Sequence, residues 1–431
     1  MPLRDLLLTT IIFGSVPAIL RNPYWGVLMW NWLAFMSPHR YTWEFAQTMR
    51  FSLVVAASTL LSFVIYKGKK AVPWRAPMVL LVLLFLWVCA TTVVAMNPTG
   101  AQAEWERFTK IIVMVVVASA LLHTRDRIEW LIVVIVLSLG FYGFKGGIFT
   151  IAHGGQYRVG GPPGSFIAGN NELAFALIIM LPLARYLQLV VTNPKVRWGI
   201  TVLMVLCGFS IVGSYSRGAF LAGGAMAIAL WLRSRRKVAL ALAMAVAIPL
   251  MYSFMPQQWH ERMGTIENYQ QDASAMGRIN AWKMAWNLAL DNPVFGAGAR
   301  AFTKANFWRY APNPRDVHDA HSIYFEMLAE QGFVGLGLFL LLGIVTLWTC
   351  SWLMKAGKLR PELHWAYDLG AMCQTSLVGY AVGGAFLGLS YWDLPYTIVA
   401  IVAAARVIVE RELAGEPEPA PAASGFVPGM R

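Results

Sequence analysis

The sequence predicts an all-α polytopic membrane protein of about twelve transmembrane helices, and three observations predict it. Of its 431 residues, 58% are hydrophobic and only 13% charged, with a mean hydropathy of +0.55; a soluble domain carries about 25% charged residues. Eleven apolar runs recur along the chain, each near the ~20 residues a helix needs to cross about 30 Å of hydrocarbon. Basic residues collect in every second connecting loop, the bias that sets orientation in a membrane.

The elements follow in chain order. Residues 6–36 hold two short apolar pieces, Leu6–Leu20 and Tyr24–Met36, broken by Arg21-Asn22-Pro23. An Arg before an apolar stretch resembles a signal peptide, but the many later spans make this an uncleaved first segment. One crossing by a broken helix gives twelve spans and two cytoplasmic termini, the preferred count; two crossings give thirteen and an outer N-terminus. The remaining spans lie near 51–66, 76–96, 108–122, 129–147, 171–191, 198–213, 217–232, 238–254, 333–354, 366–390 and 394–410.

Lys67, Lys69, Lys70 and Arg75 mark one cytoplasmic loop, and Arg233, Arg235, Arg236 and Lys237 another. Lys195 with Arg197, and Lys355, Lys358 and Arg360, mark two more. The opposite loops, 97–107, 148–170, 213–216, 255–321 and 391–394, then face outward, into the periplasm of a Gram-negative cell. This divides the chain into an N-terminal helical region (1–150), helices with Arg-bearing outer turns (151–254), one long periplasmic loop (255–321), C-terminal helices (322–411) and a disordered cytoplasmic tail (412–431) rich in Pro, Ala and Glu. The net charge of +13 would suggest nucleic acid in a soluble chain. Here the cytoplasmic loops hold most of the excess, and no nucleic-acid partner is expected. The four cysteines, Cys89, Cys207, Cys350 and Cys373, sit in apolar runs and read as small buried hydrophobes, with neither disulfides nor a metal site.

The long loop is nearly neutral, with seven basic residues against six acidic ones. Within it, Ser274–Leu290 has helical spacing of apolar residues, an Asp272 or Ser274 cap, and a stop at Asn292-Pro293 followed by Gly296 and Gly298. Trp282 and Trp286, one turn apart, suit either an amphipathic helix at the membrane interface or one that caps the bundle.

No Walker-type loop and no Asp-x-Asp pair is present, which argues against ATP-driven work and against a metal-held nucleotide sugar. Gly160-Gly161-Pro162-Pro163-Gly164 has no following Lys and reads as a tight turn. Arg217, in Ser214-Tyr215-Ser216-Arg217-Gly218, stands at the start of a span on the outer side, where topogenic Arg is not expected. His318 and His321 lie three apart where the next helix begins. With only Asp319 and Glu326 nearby they fall short of the three ligands of a catalytic zinc. One of them instead suits a general base, while a helix-capping role fits His318 better than His321. Arg278 and Arg158 add two outward guanidiniums, and with Arg217 they offer paired donors for a phosphate without a metal.

At these residues the chain resembles the O-antigen ligase family, within the wider group that includes O-antigen polymerases and protein O-oligosaccharyltransferases. The family pattern is a His, then Asn, Ser or Gln, nine residues, Gly, two residues and a small residue or Tyr. It is met by His321-Ser322 and Gly332-Phe333-Val334-Gly335. Ser216-Arg217-Gly218 resembles the family's Arg after a serine, and Arg278 with Trp282, Asn292-Pro293 and Gly296-x-Gly298 resembles the segment before the His motif. The likeness spans about 160–350. The first 150 residues are similar to an extension of ligases associated with exosortase-type export.

The resemblance implies a cofactor-free, metal-independent, inverting glycosyltransferase of the bacterial inner membrane. Its donor would be a polysaccharide on undecaprenyl diphosphate and its acceptor a sugar hydroxyl of lipid A–core. It places His321 as base, Arg217 and Arg278 on the diphosphate, and Arg158, His318, Trp282 and Glu326 as substrate-binding residues. Polymerisation of repeat units and glycosylation of a protein remain open from the residues. A lipid-linked sugar transporter is the alternative of another class, against which stand spans nearly free of central charge.

Overall fold

The computed structural model describes residues 3–233, 237–264 and 273–415. Among these, the regular structure is sixteen α-helices and a few short 3-10 turns, with no strand. The first six are α1 (Leu3–Arg21), α2 (Pro23–Met36), α3 (Phe51–Ile65), α4 (Ala76–Val93), α5 (Pro98–Leu121) and α6 (Arg125–Ala152). There follow α7 (Asn170–Val190), α8 (Pro194–Gly213), α9 (Arg217–Arg233), α10 (Lys237–Phe254), α11 (Gln257–Gly264), α12 (Ala273–Asp291) and α13 (Lys304–Tyr310). The last three are α14 (Ile323–Ala356), α15 (His364–Gly383) and α16 (Asp393–Leu413). Seven helices, α1, α4, α6, α7, α8, α10 and α14, are long and apolar enough to cross a membrane. The disordered tail expected over 412–431 begins with two residues that still belong to α16, and its remainder from 416 lies outside the described residues.

Burial orders the bundle. α7 is the most enclosed candidate span and packs against α6, α8, α9 and α15; α16 is likewise buried between α4, α5, α14 and α15. None of the apolar window of α10 is buried, so this surface is left for lipid. α6 and α8 approach closely along Gly140, Gly143, Gly146 and Gly147: a Cβ on Gly147 would lie 2.2 Å from the Leu206 carbonyl oxygen, and one on Gly143 the same distance from Cys207 Sγ. Small residues at helix contacts maximise packing where lipid is as apolar as leucine. The cysteines are free thiols, and Cys207, Cys350 and Cys373 are buried.

The N-terminal segment departs from the single broken crossing expected for 6–36. The Asp5 carboxylate, at the start of α1, accepts the backbone N–H groups of Trp43, Glu44 and Ala46 at 3.0–3.1 Å, and the Arg4 guanidinium lies 4.3 Å over the Trp43 ring. Residues 41–46 follow the far end of α2, so α1 and α2 form a hairpin whose two open ends meet. Hydropathy sees two short apolar runs in either case. What decides the hairpin is Asn22, whose side chain accepts Tyr24 N–H at 3.1 Å and starts α2 after a single non-helical residue.

Two ends of the bundle result. One gathers the basic loops and is tied by Arg75 to Glu410 (2.6 Å), Arg411 to the His123 carbonyl (2.8 Å) and Arg360 to the Glu412 carbonyl (3.1 Å). The other, the site end, holds 37–50, 153–169, 214–216, 255–264, 273–322 and 384–392. Expected loop 391–394 is longer: the apolar run 366–390 leaves the α-helix after Gly383, makes a 3-10 turn over Gly384–Phe386, and is irregular and mostly buried over 387–392. Apolarity there records burial, not helix. α14 starts ten residues before the expected span and kinks at Gly332 (φ 67°, ψ −173°).

Candidate active site

α12 is the spine of the site. Its apolar face, Ala281, Met284, Ala285, Leu288 and Ala289, is buried against α13 and α14 rather than in a membrane interface. Its polar face holds the chain that follows. Asn280 donates to the carbonyls of Asn313 (2.8 Å) and Asp316 (3.0 Å), Asn287 to that of Tyr310 (2.9 Å), and the Trp282 indole N–H to that of Ala320 (2.8 Å). Trp282 also stacks flat on Phe325, with centroids 4.9 Å apart. Trp282 therefore positions the residue before His321 and does not line the cavity, as a substrate-binding role would require. Trp286 is exposed. The expected Asp272 cap lies outside the described residues.

His321 follows this clamp with φ +42°, a left-handed conformation costly for a side chain with a Cβ. All four non-glycine residues of positive φ among those described, Ser37, Tyr215, Arg300 and His321, lie at the site end. His321 faces a cavity of about 600 Å³. Burial, and next the Arg278 guanidinium, hold its imidazole below the ordinary value near 6.5, with Asp319 and Glu172 opposing. His321 is thus neutral near pH 7, the form a base requires. His318 is elsewhere: its Nδ1 lies 2.9 Å from Asp316, and its ring packs where a Cβ on Gly277 would sit. It neither caps a helix nor lines the cavity.

Five carboxylates line the cavity, Glu104, Glu172, Asp319, Glu326 and Glu330, with Arg107 and Arg300. Each of three has a holding task. Glu104, buried, accepts two hydrogen bonds from Arg300 (2.6 and 2.9 Å) and lies 3.3 Å from Arg107. Glu330 accepts Arg300 N–H (2.7 Å) and Tyr391 O–H (2.7 Å), pinning the 298–301 turn. Glu326 accepts the hydroxyl (2.6 Å) and N–H (3.2 Å) of Ser390; it thus holds the 387–392 segment rather than orienting His321. Among the described residues no group of three or more His, Cys, Asp or Glu is arranged to hold a metal.

Arg217 opens α9, whose first turn Ser216 caps by accepting Ala219 N–H at 3.2 Å. The tight Ser214–Ser216 turn before it is fixed from several sides. Asn170 donates to the Ser214 carbonyl (2.7 Å), the Tyr215 hydroxyl to the Gly155 carbonyl (2.7 Å) and Arg262 to the Tyr215 carbonyl (3.2 Å). Arg158 is exposed and its guanidinium lies 5.7 Å from the Tyr215 ring centre, so it buttresses this turn. Gly160–Gly164 is a tight turn, closed by Ser165 N–H on the Pro162 carbonyl (3.2 Å). Of the predicted residues, the fold brings His321 and Glu326 to the cavity wall and Arg278 beside His321. Arg217, Arg158, His318 and Trp282 are not on that wall.

Residues 202–340 match the family model described as O-antigen ligase. That stretch carries Arg217, Arg278, His321 and the Gly332 kink. The match covers about a third of the chain, and over that segment the protein is similar to the O-antigen ligase family. Residues 3–192 match a second model, a family of unknown function, and this part supplies Glu104, Arg107 and Glu172 to the cavity. No curated protein matches the chain. The cavity is built jointly by the segment similar to O-antigen ligases and by the N-terminal region. Sequence reasoning missed Glu104, Arg107, Glu172, Arg300 and Glu330. For Glu104, Arg107, Glu172 and Glu330 the one signal was charge at the edge of an apolar run; Arg300 had none.

Proposed function

We propose that the protein is an O-antigen ligase that moves a polysaccharide from undecaprenyl diphosphate to a sugar hydroxyl of lipid A–core, at the periplasmic face of the inner membrane. The observation that carries this reading is the placement of His321, with Arg278 acting on it, on the wall of a cavity lined by acidic side chains. Carboxylates accept hydrogen bonds from sugar hydroxyls, so the cavity suits glycan. His321 takes the acceptor hydroxyl proton as that oxygen bonds to the anomeric carbon on the face opposite the leaving group, inverting it. The bond from the anomeric carbon to the diphosphate breaks, and the diphosphate leaves with its electron pair. Arg278 and Arg217 hold it and stabilise the charge it gains. Diphosphate is already a good leaving group, so positioning and charge suffice, and no metal is required.

Purified protein, given lipid-linked glycan and lipid A–core in EDTA, is expected to transfer glycan to the core sugar. Glycan chains lengthened on the donor instead would mark a polymerase, and movement of donor across proteoliposomes without acceptor a transporter. Arg217→Lys keeps the charge and loses the two-pronged donor, so transfer should fall about tenfold or more. Wild-type rates would reduce Arg217 to an anchor.

The pH dependence has a defined sign. A base is active unprotonated, so the rate falls as pH drops through the pKa of His321. That pKa is held below 6.5, which puts the acid limb of the rate profile below 6.5. Arg278→Ala should move the limb up and Asp319→Asn should move it down, because these charges act on His321 with opposite sign. A limb that stays put in both variants would detach the profile from His321.

A further inference from the structure

A second cavity of about 480 Å³ lies beside the first, walled by α2, α3, α5 and the 164–166 turn. The two share Arg107, Ser165 and Phe166. Their linings differ in charge. Where the His321 cavity has five acidic side chains against Arg107 and Arg300, the second has Arg40, Arg107 and Lys110, with His39, against a single acid, Asp393. The rest of its wall is largely apolar, with Trp30, Leu33, Met49, Phe51 and Ile111.

The cations are placed by the fold. Arg107 and Lys110 are three apart on α5 and so share a face. The Arg107 guanidinium lies 3.9 Å from the Phe166 ring centre, which fixes it at the boundary of the two cavities. Arg40 donates to the Gly164 carbonyl at 3.0 Å and lies flat where a Cβ on Gly164 would meet it at 2.9 Å. Lys110 is exposed and makes no ion pair among the described residues. Clustered cations beside an apolar wall at the end of a membrane bundle match one chemistry, a phosphate group on an amphiphile. Arg supplies the paired donors and Lys a point charge.

Resting on the transferase reading above, we infer that this cavity binds a phosphate group of the acceptor glycolipid. The two substrates then reach His321 from different sides. The donor diphosphate lies toward Arg278 and Arg217, and the acceptor phosphate toward Arg107, Arg40 and Lys110, with the acceptor sugar extending past Phe166 into the carboxylate-lined cavity. This gives the N-terminal region, of unknown function by its family match, a task in acceptor binding.

The test uses the full-length protein in phosphatidylcholine nanodiscs, with lipid-linked glycan and lipid A–core, either phosphorylated or treated with phosphatase. Lys110→Gln and Lys110→Glu should raise the acceptor KM about tenfold, the worth of one charged hydrogen bond. The donor KM and kcat should stay at wild-type values, and Lys110→Arg should recover most of the loss. Phosphatase-treated acceptor should raise the wild-type KM similarly and make wild type and Lys110→Gln alike. An unchanged acceptor KM in Lys110→Glu overturns the inference. A raised donor KM overturns it too, assigning the cavity to the donor. So does an effect that follows added phosphatidylglycerol and ignores acceptor phosphate, which assigns the cations to bulk lipid. Absence of transfer by the wild type would refute the transferase reading alone. Direct binding of phosphorylated lipid A–core, about tenfold weaker in Lys110→Glu, still tests the cavity in that case.

Discussion

Replacing His321 with glutamine should lower kcat for glycan transfer by about 10²–10⁴-fold, the usual worth of a positioned general base. Protein level, membrane insertion and donor KM should be unchanged. Glutamine keeps size and hydrogen-bonding capacity but cannot take a proton. The folded site should accept it, because the clamp on this residue is made by neighbours: Trp282 on the Ala320 carbonyl, and the start of α14 at Ile323. Those contacts hold the left-handed backbone at position 321 whatever side chain it carries. Donor binding is assigned to arginines, so loss confined to kcat separates the base from a binding role. Wild-type transfer by the variant would end the assignment. An equal loss in His318→Gln would also count against it, since His318 pairs with Asp316 away from the cavity.

The helical bundle was legible because each span is a local, contiguous signal: an apolar run bounded by Asn-Pro, Gly or basic residues. Asn22, Asn97 and Asn193 each start a helix by accepting an N–H from the following turn, each just before a proline. His321 and the Gly332 motif were legible for the same reason, lying within fifteen contiguous residues, 321–335. The rest of the site was not local. Glu104 meets Arg300 across 196 residues, and Tyr391 meets Glu330 across 61. No periodicity connects such pairs before the chain folds. α5 hid them further, since it begins at Pro98, ten residues before its apolar run, and its polar first turns carry Glu104 and Arg107. Trp282 left two readings open by type, interface or bundle cap, and only the fold shows its ring stacked on Phe325 and its N–H spent on a backbone carbonyl.

Gly332→Ala should destabilise the protein by about 3 kcal/mol or more, from the cost of a backbone conformation essentially closed to residues other than glycine plus a steric clash. Gly332 has φ 67° and ψ −173°. A Cβ there would lie 2.3 Å from the Val294 carbonyl oxygen and 2.8 Å from that of Pro293, and backbone atoms cannot swing aside as a side-chain tip can. The kink is the socket for the turn after α12. Phe333 N–H bonds the Pro293 carbonyl, while Ala297 and Gly298 N–H bond the carbonyls of Ala329 and Glu330, all at 2.9 Å. Gly296 fits the same socket from the other side, its own Cβ position being 2.6 Å from Gly332 N. Opening this joint displaces the turn that carries Arg300 and the half of α14 that carries Glu326 and Glu330, so activity should be lost along with stability. Gly337→Ala, five residues on, is the control: nothing lies within 4 Å of its added methyl, and in a helix alanine is the better residue. A lowered unfolding temperature in Gly332→Ala, with none in Gly337→Ala, is the expected result in detergent. Equal unfolding temperatures would mean that α14 runs straight past this position and that the Asn292–Gly298 turn is held by something other than the kink.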